Sequence, residues 1–305
     1  MTAPLAGITD FAFRETCRDF GEGIYFAEMI SSRSILNSIK ENKKLVREKF
    51  RVGEHLQIFG DDPKIMAESA KFFEGEGAGH ININMGCPVK KVWKACAGAQ
   101  LMNDLSRAEK IMSAVKSAVK IPVSVKTRTG INDEKITVFK MLKIAENTGM
   151  DFFAIHGRTR SQMYSGSANW EIISELADIS KIPIIGNGDI FDEETALKRL
   201  AIPKIGGIML ARGILGKPWF LTSIKNLQKG KNIISPTITE KQKIILSHLK
   251  RIIELYGIEK GIPVFRKHLG WYSKGVFGSS DFRQKINGIE NYDKLTFEIQ
   301  DFFNQ

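Results

Sequence analysis

The sequence predicts a (β/α)8 barrel followed by a small all-helical domain. Eight short apolar, β-rich runs recur between residues 2 and 211, with amphipathic stretches between them. Strands that alternate with helices imply parallel βαβ units, and eight such units close a barrel. Beyond residue 220 the strand signal stops and helical periodicity replaces it. An open doubly wound sheet would carry a GxGxxG turn after its first strand, and GITDF at 7–11 is not one.

The strand runs are the stub TAPLA (2–6), YFAEM (25–29), EHLQIFG (54–60), HININM (80–85), PVSVK (122–126), DFFAIH (151–156), IPIIG (182–186) and GIMLA (207–211). Each is short and rich in β-branched or aromatic residues. Pro63–Glu74, Ser106–Ala118, Ile136–Thr148 and Glu193–Leu200 are amphipathic helices between them. The barrel is assigned to residues 1–228. Gln228–Thr239 is polar, contains Pro236 and reads as a linker. The helical domain is assigned to 239–305: a helix from Glu240 to Tyr256 capped by Thr239, a second after Pro263, and a third over Tyr292–Phe303. The first run is short, which puts the weak point of barrel closure there.

The chain has 305 residues, 43% of them hydrophobic, as in an ordinary globular protein. No run of eighteen apolar residues suggests a membrane span, and MTAPLAGITDF lacks the pattern of a signal peptide. Cys17, Cys87 and Cys96 are too few and too scattered for a disulfide framework, and no CxxC pair suggests a metal. A reducing cytoplasm is the expected compartment. The formal net charge is +11; residues 221–305 hold 14 basic and 8 acidic residues. A basic tail suits a polyanion.

In such a barrel the active site lies at the C-terminal ends of the strands. Those ends carry Pro4-Leu5-Ala6-Gly7, Gln57, Asn82 and Asn84 before Cys87, Lys126 and Arg128, His156 and Arg158, Gly186-Asn187-Gly188-Asp189, and Ala211-Arg212-Gly213. In a strand, residues two apart share a face, so Asn82 and Asn84 point together. Buried amides need partners, from a ligand or from a satisfied polar core. Loops after the last two strands are the usual phosphate cradle; Gly186, Gly188 and Gly213 permit close backbone approach and Arg212 adds charge. A phosphate-bearing cofactor follows, and Lys126 is a cation suited to a flavin's N1/C2 edge. His156 alone fits core or ligand; Arg158 on the same face favours ligand.

APLAGITDFAFR, NINMGCPVKKV, SVKTRTG, IHGRTR, IIGNGDI and LARGILGKPW, in order at the strand ends, resemble the tRNA-dihydrouridine synthases, FMN-dependent barrels that reduce uridine in tRNA. FRKHLGWYSKG and GSSDFRQKIN resemble the bacterial members, and NxNxGCP is the most specific motif. The resemblance implies Cys87 as the catalytic acid and Asn84 as a residue holding the flipped uracil. Hydride reaches C6 of the uracil, and a thiol that stays protonated at neutral pH gives the proton to C5. It implies FMN contacts from Pro4, Leu5, Ala6, Gln57, Lys126, Asn187, Gly188, Asp189, Ala211 and Arg212, with His156 beside them and Arg158 on the substrate side. NADPH or NADH is the implied reductant. At 211 many relatives have Gly, so Ala211 makes that turn less permissive. Cys17 and Cys96 are expected to be packing residues.

Residues 241–285 hold 10 basic and 3 acidic residues with aromatics interleaved. Arg266, Lys267 and Lys274 are therefore the expected tRNA contacts. No membrane and no obligate protein partner is indicated. Two other readings remain: an FMN barrel acting on free pyrimidines, which needs no basic extension, and a tRNA-binding protein without catalysis, for which Cys87 and Lys126 have no use.

Overall fold

A computed structural model describes residues 1–40 and 50–304. Seven parallel strands run β1 Phe26–Ser31, β2 His55–Phe59, β3 His80–Met85, β4 Val123–Arg128, β5 Phe153–His156, β6 Ile184–Asn187 and β7 Gly207–Met209. They are ordered in the sheet as in the sequence. Each strand is joined to the next by at least one helix, as parallel pairing requires. The eighth run is reduced to Thr2, which bridges Tyr25 on one side and Leu210 on the other. Backbone hydrogen bonds Thr2 N–H to Ile24 O (2.9 Å) and Ala3 N–H to Leu210 O (2.7 Å) make the closure. The expected barrel is therefore present, with its first stave cut to a stub.

The helices are α1 Phe11–Arg18, α2 Ser32–Lys40, α3 Pro63–Gly75, α4 Lys90–Lys94, α5 Leu105–Ala118, α6 Val138–Asn147, α7 Trp170–Ile179, α8 Glu193–Leu200, α9 Phe220–Gln228, α10 Ile238–Tyr256, α11 Ile258–Tyr272, α12 Ser279–Ile286 and α13 Tyr292–Phe302. Caps set their starts. Asp62 accepts from Lys64 and Ile65 N–H ahead of Pro63, and Asp104 accepts from Arg107 N–H.

The chain divides into two compact units. The first holds Met1–Ala6, Ile24–Ile190 and Glu194–Ala211; the second holds Gly7–Gly23, Phe191–Glu193 and Arg212–Gln305. In the first, Ala3, Phe26, Ala154, Ile185 and Met209 form an inward-facing core, with the half-buried ring of His55 and the buried ring of His80 against Phe26. In the second, α1 packs on α10, and Ile245, Leu249, Phe265, Leu269, Phe282, Leu295 and Phe303 lie in its core.

Three expectations for the tail change. The cap of α10 is Thr237, not Thr239: Thr237 and Glu240 form a capping box, with Thr237 N–H to Glu240 Oε2 at 2.7 Å and Glu240 N–H to Thr237 Oγ1 at 3.2 Å. A carboxylate three residues on makes the stronger box, and Gln242 is spent on Gln300 and Asn304. The next helix begins at Ile258, after Gly257, and carries Pro263 inside it. Helix α12 has no counterpart among the expected elements.

Candidate active site

The barrel interior is layered by strand register. Gln57 pairs with Asn82 and Asn82 with Ser124; one step up, Asn84 pairs with Lys126. Alternation turns all of these to the inside. The lower layer is a satisfied chain of amides. Gln57 Nε2 donates to Asn82 Oδ1 at 2.6 Å, and Asn82 Nδ2 donates to Ser124 Oγ at 2.7 Å. Gln57 Oε1 accepts from Asn84 Nδ2 at 2.7 Å. The sequence places Asn82 on the same face as Asn84; Ser124 carries no such signal, and only pairing across strands reveals its part.

This chain ends at the turn carrying Cys87. Asn84 Oδ1 accepts from Gly86 N–H (3.1 Å) and Cys87 N–H (2.9 Å). Arg128 Nε donates to Gly86 O at 2.9 Å, and Ala99 N–H donates to Cys87 O at 3.0 Å. The backbone before the thiol is thus fixed by inward-facing groups of β3 and β4, and the carbonyl after it by Ala99. Asn84, expected to hold a uracil, has both amide ends engaged by protein, so its visible role is to position Cys87. Arg128 also donates to Thr159 O and Met163 O, which ties the loop after β5 to the same turn. Its spacing two residues from Lys126 was the available sequence signal. Partial burial pushes the Cys87 thiol above its ordinary pKa, opposed by a backbone hydrogen bond and by Arg128 and Lys126. The group stays a protonated thiol at neutral pH.

Lys126 Nζ donates to Asn187 Oδ1 at 3.2 Å, two strands away. On the intervening strand Lys126 is opposite Ala154 and Asn187 is opposite His156, so the contact runs diagonally past the small Ala154 side chain. Asn187 is held in turn by Nδ2 to Met209 O at 2.6 Å. Burial, aided by the Arg128 charge, lowers the Lys126 pKa to about 7. No carboxylate pairs with Lys126 among the described residues.

The loop after β5 is organised by Arg158, only 2% exposed. Its guanidinium pairs in a fork with Asp189 (2.8 and 2.7 Å) and donates to Ser165 O and Gly166 O. Its remaining N–H points to His156 Nε2 at 3.4 Å. Asp189 Oδ2 also accepts from Ala168 N–H at 2.8 Å. Arg158, expected on the substrate side, and Asp189, expected beside the cofactor, are thus paired with each other, as a buried guanidinium needs every donor met. The glycines nearby have packing reasons of their own. A Cβ on Gly186 would sit 2.5 Å from the Trp170 ring, and one on Gly188, at φ +136°, 2.5 Å from Ala168 Cβ. Pro4, Leu5 and Ala6 follow the stub, and Leu5 and Ala211 lie against the inward-facing core.

Arg212 belongs to the second unit, where it is exposed with its guanidinium over the Phe191 ring. Of the tail cations, Arg266 donates to Ile289 O at 2.9 Å and Lys267 to Gly7 O. Lys274 alone of the three is exposed; Arg266 and Lys267 are half-buried. Cys17 is buried, as expected; Cys96 is exposed just past α4 and is not a packing residue. Among the described residues no group of three His, Cys, Asp or Glu is placed to hold a metal ion, and no helix is long and apolar enough to cross a membrane.

The strand ends fit the ring of a flavin. A cation without a carboxylate partner suits a ligand that carries electron-rich oxygens, and Gln57 keeps one amide N–H free for an acceptor. The parallel barrel gathers a positioned, protonated thiol and an interior cation without a carboxylate partner at its strand ends, the arrangement of a (β/α)8-barrel enzyme. Comparison with known proteins makes the family definite. The profile described as "Dihydrouridine synthase (Dus)" matches residues 1–305. The chain belongs to the dihydrouridine synthase family. It is 38% identical to a "Probable tRNA-dihydrouridine synthase" of Rickettsia bellii, over 99% of this chain and 93% of that one. It is 36% identical to "tRNA-dihydrouridine synthase B" of Pseudomonas putida, over 99% and 90%. Its fold is similar to histamine dehydrogenase from Rhizobium sp. 4-9, with a TM-score of 0.51 at 13% identity, over 79% of this chain and 46% of that one.

Proposed function

We propose that this chain reduces the C5–C6 double bond of uridines in tRNA to 5,6-dihydrouridine, with FMN as cofactor and NADPH or NADH as reductant. The observation that carries the reading is the Cys87 turn, held by Asn84 and Arg128 one step from Lys126, in a chain whose relatives are named as acting on tRNA. When bound, the reduced flavin supplies the hydride that C6 receives. The residues do the rest. Cys87 gives its proton to C5, and its raised pKa keeps that proton available at neutral pH. Asn84, backed by Gln57, Asn82 and Ser124, sets the height of the sulfur. Lys126, steered by Asn187, offers positive charge to the flavin ring. Arg158 and Asp189 act as positioning residues for the loop after β5. His156, Pro4, Leu5, Ala6, Gly188 and Ala211 remain proposed cofactor neighbours, and Arg212 a proposed phosphate contact. Residues 1–228 are assigned to catalysis and 239–305 to tRNA, with Lys274 the exposed cation of that tail.

The test is direct. The purified protein is expected to be yellow. Deleting its gene is expected to remove dihydrouridine at discrete tRNA positions, restored by the wild-type gene and not by Cys87→Ala. Unchanged dihydrouridine in the deletion strain overturns the reading; a colourless protein that binds tRNA points to the non-catalytic alternative.

A further inference from the structure

Two loops of the first unit carry cations and no carboxylate. Between Glu76 and Asp104 the only charged residues are Lys90, Lys91 and Lys94. Between Asp151 and Glu171 they are Arg158 and Arg160. Arg158 is consumed by Asp189, but the others are not. All three lysines are exposed on α4, and among the described residues none makes an ion pair. Three unpaired cations within five residues repel one another, so such a cluster favours an anion from outside.

The structure joins the two loops. The Arg160 guanidinium lies over the Trp93 ring of α4, 4.3 Å from its centroid. Arg160 is also anchored through its backbone, N–H to Gly130 O at 2.8 Å. Its Nε is buried without a hydrogen-bond partner. Stacking on indole holds a guanidinium in one plane while leaving outer N–H groups for a bidentate acceptor. Four cations are thus collected on one edge.

Their distance from the chemistry is set by the chain. Lys90 is three peptide steps from Cys87, so their Cα atoms are at most about 11 Å apart. A uridine presented to Cys87 must be extruded from its stack, which costs a few kcal/mol and requires its neighbours to be held. Resting on the tRNA reading above, we infer that Lys90, Lys91 and Lys94, with Arg160 stacked on Trp93, grip the backbone phosphates of the nucleotides flanking the reacting uridine. The tail assigned to tRNA from the sequence is then not the only grip: the barrel carries its own, next to the thiol.

The experiment is equilibrium binding of tRNA across a salt series, with phosphate-ethylation interference to locate the contacts. Lys90→Ala/Lys91→Ala/Lys94→Ala is expected to weaken binding and to reduce the slope of log K against log salt by about 2, since each phosphate lost from single-stranded RNA removes about 0.7. Interference at the phosphates flanking the reduced uridine should vanish in this variant alone. The Lys→Arg triple variant should retain wild-type slope and interference, and Lys110→Ala/Lys140→Ala on the outer helices α5 and α6 should match wild type. Equal slopes for the alanine triple and the outer control overturn the inference. So does loss of binding in the arginine triple while it melts as wild type does, because charge would then not be the cause. Wild-type protein that grips tRNA at these phosphates but forms no dihydrouridine would overturn the functional reading and leave the grip standing.

Discussion

At the residue scale, Cys87 matters for its proton. The turn is fixed by groups other than the thiol, so removing the thiol leaves the site's shape intact. Cys87→Ala is expected to keep flavin and tRNA binding and to lose about 10²–10⁴-fold in turnover; single-turnover reduction of tRNA checks this, and a wild-type rate in the variant refutes it. Lys126 matters for its charge. Its pKa is lowered from 10.5 to about 7 in the folded chain. Between those values the unfolded chain binds the extra proton, so stability rises with pH across that window. The desolvation cost is fully present below pH 7. Lys126→Met should therefore raise the melting temperature of the flavin-free protein, by more at pH 6 than at pH 9. A flavin brings electron density to the ammonium and should reverse the ranking, with the variant melting below wild type when loaded.

At the scale of the element, β3 shows how one strand makes a site. Its outward Ile81, Ile83 and Met85 are fully buried against the barrel's helices, and its inward Asn82 and Asn84 form the amide chain. A one-residue slip would exchange the two sets, so apolar burial on one face fixes the amides on the other. Helix α10 shows the value of a terminus. Its capping box satisfies two orphan donors at once. Thr237→Ala is expected to cost about 0.5–2 kcal/mol, read as a shift of the urea midpoint at unchanged slope; Thr239→Ala should cost less, since Thr239 is not the cap.

At the scale of the molecule, acid acts on buried imidazoles in both units; in the first, burial and the neighbouring His55 lower the His80 pKa from 6.5 to about 3. In the second, Phe13 of α1 lies 5.7 Å from His248 and 5.6 Å from His268, whose rings are 4.7 Å apart. His248 Nδ1 meets Tyr272 Oη at 3.1 Å, and both Nε2 atoms are buried without partners. Burial lowers the His268 pKa from 6.5 to about 3, and lowers His248 as well. An imidazole held below its ordinary value binds fewer protons folded than unfolded. Its stability is complete above pH 6.5 and is lost as pH falls toward 3. Unfolding of this unit should grow easier from pH 7 to pH 5, and His268→Phe should flatten that dependence, which calorimetry at several pH values measures. A variant as acid-sensitive as wild type would place the titration elsewhere.

The sequence by itself determined the barrel and which polar residues stand at its strand ends. Period-two runs separated by amphipathic stretches leave few topologies, and the strand ends can be read in order, down to Cys87 and Lys126. It also determined that a helical tail follows, though it misplaced the cap of α10 and omitted α12, whose short polar segment has little periodicity. Only the tertiary structure decided what each polar side chain is spent on. It shows Asn84 supporting the Cys87 turn, and Arg158 and Asp189 paired with each other. Arg266 and Lys267 were taken by carbonyls of their own unit. The physical reason is that buried donors must be satisfied by whatever lies across the sheet or loop, and that neighbour belongs to a different part of the sequence. Alternation tells which way a side chain points; it does not tell what is already there to meet it.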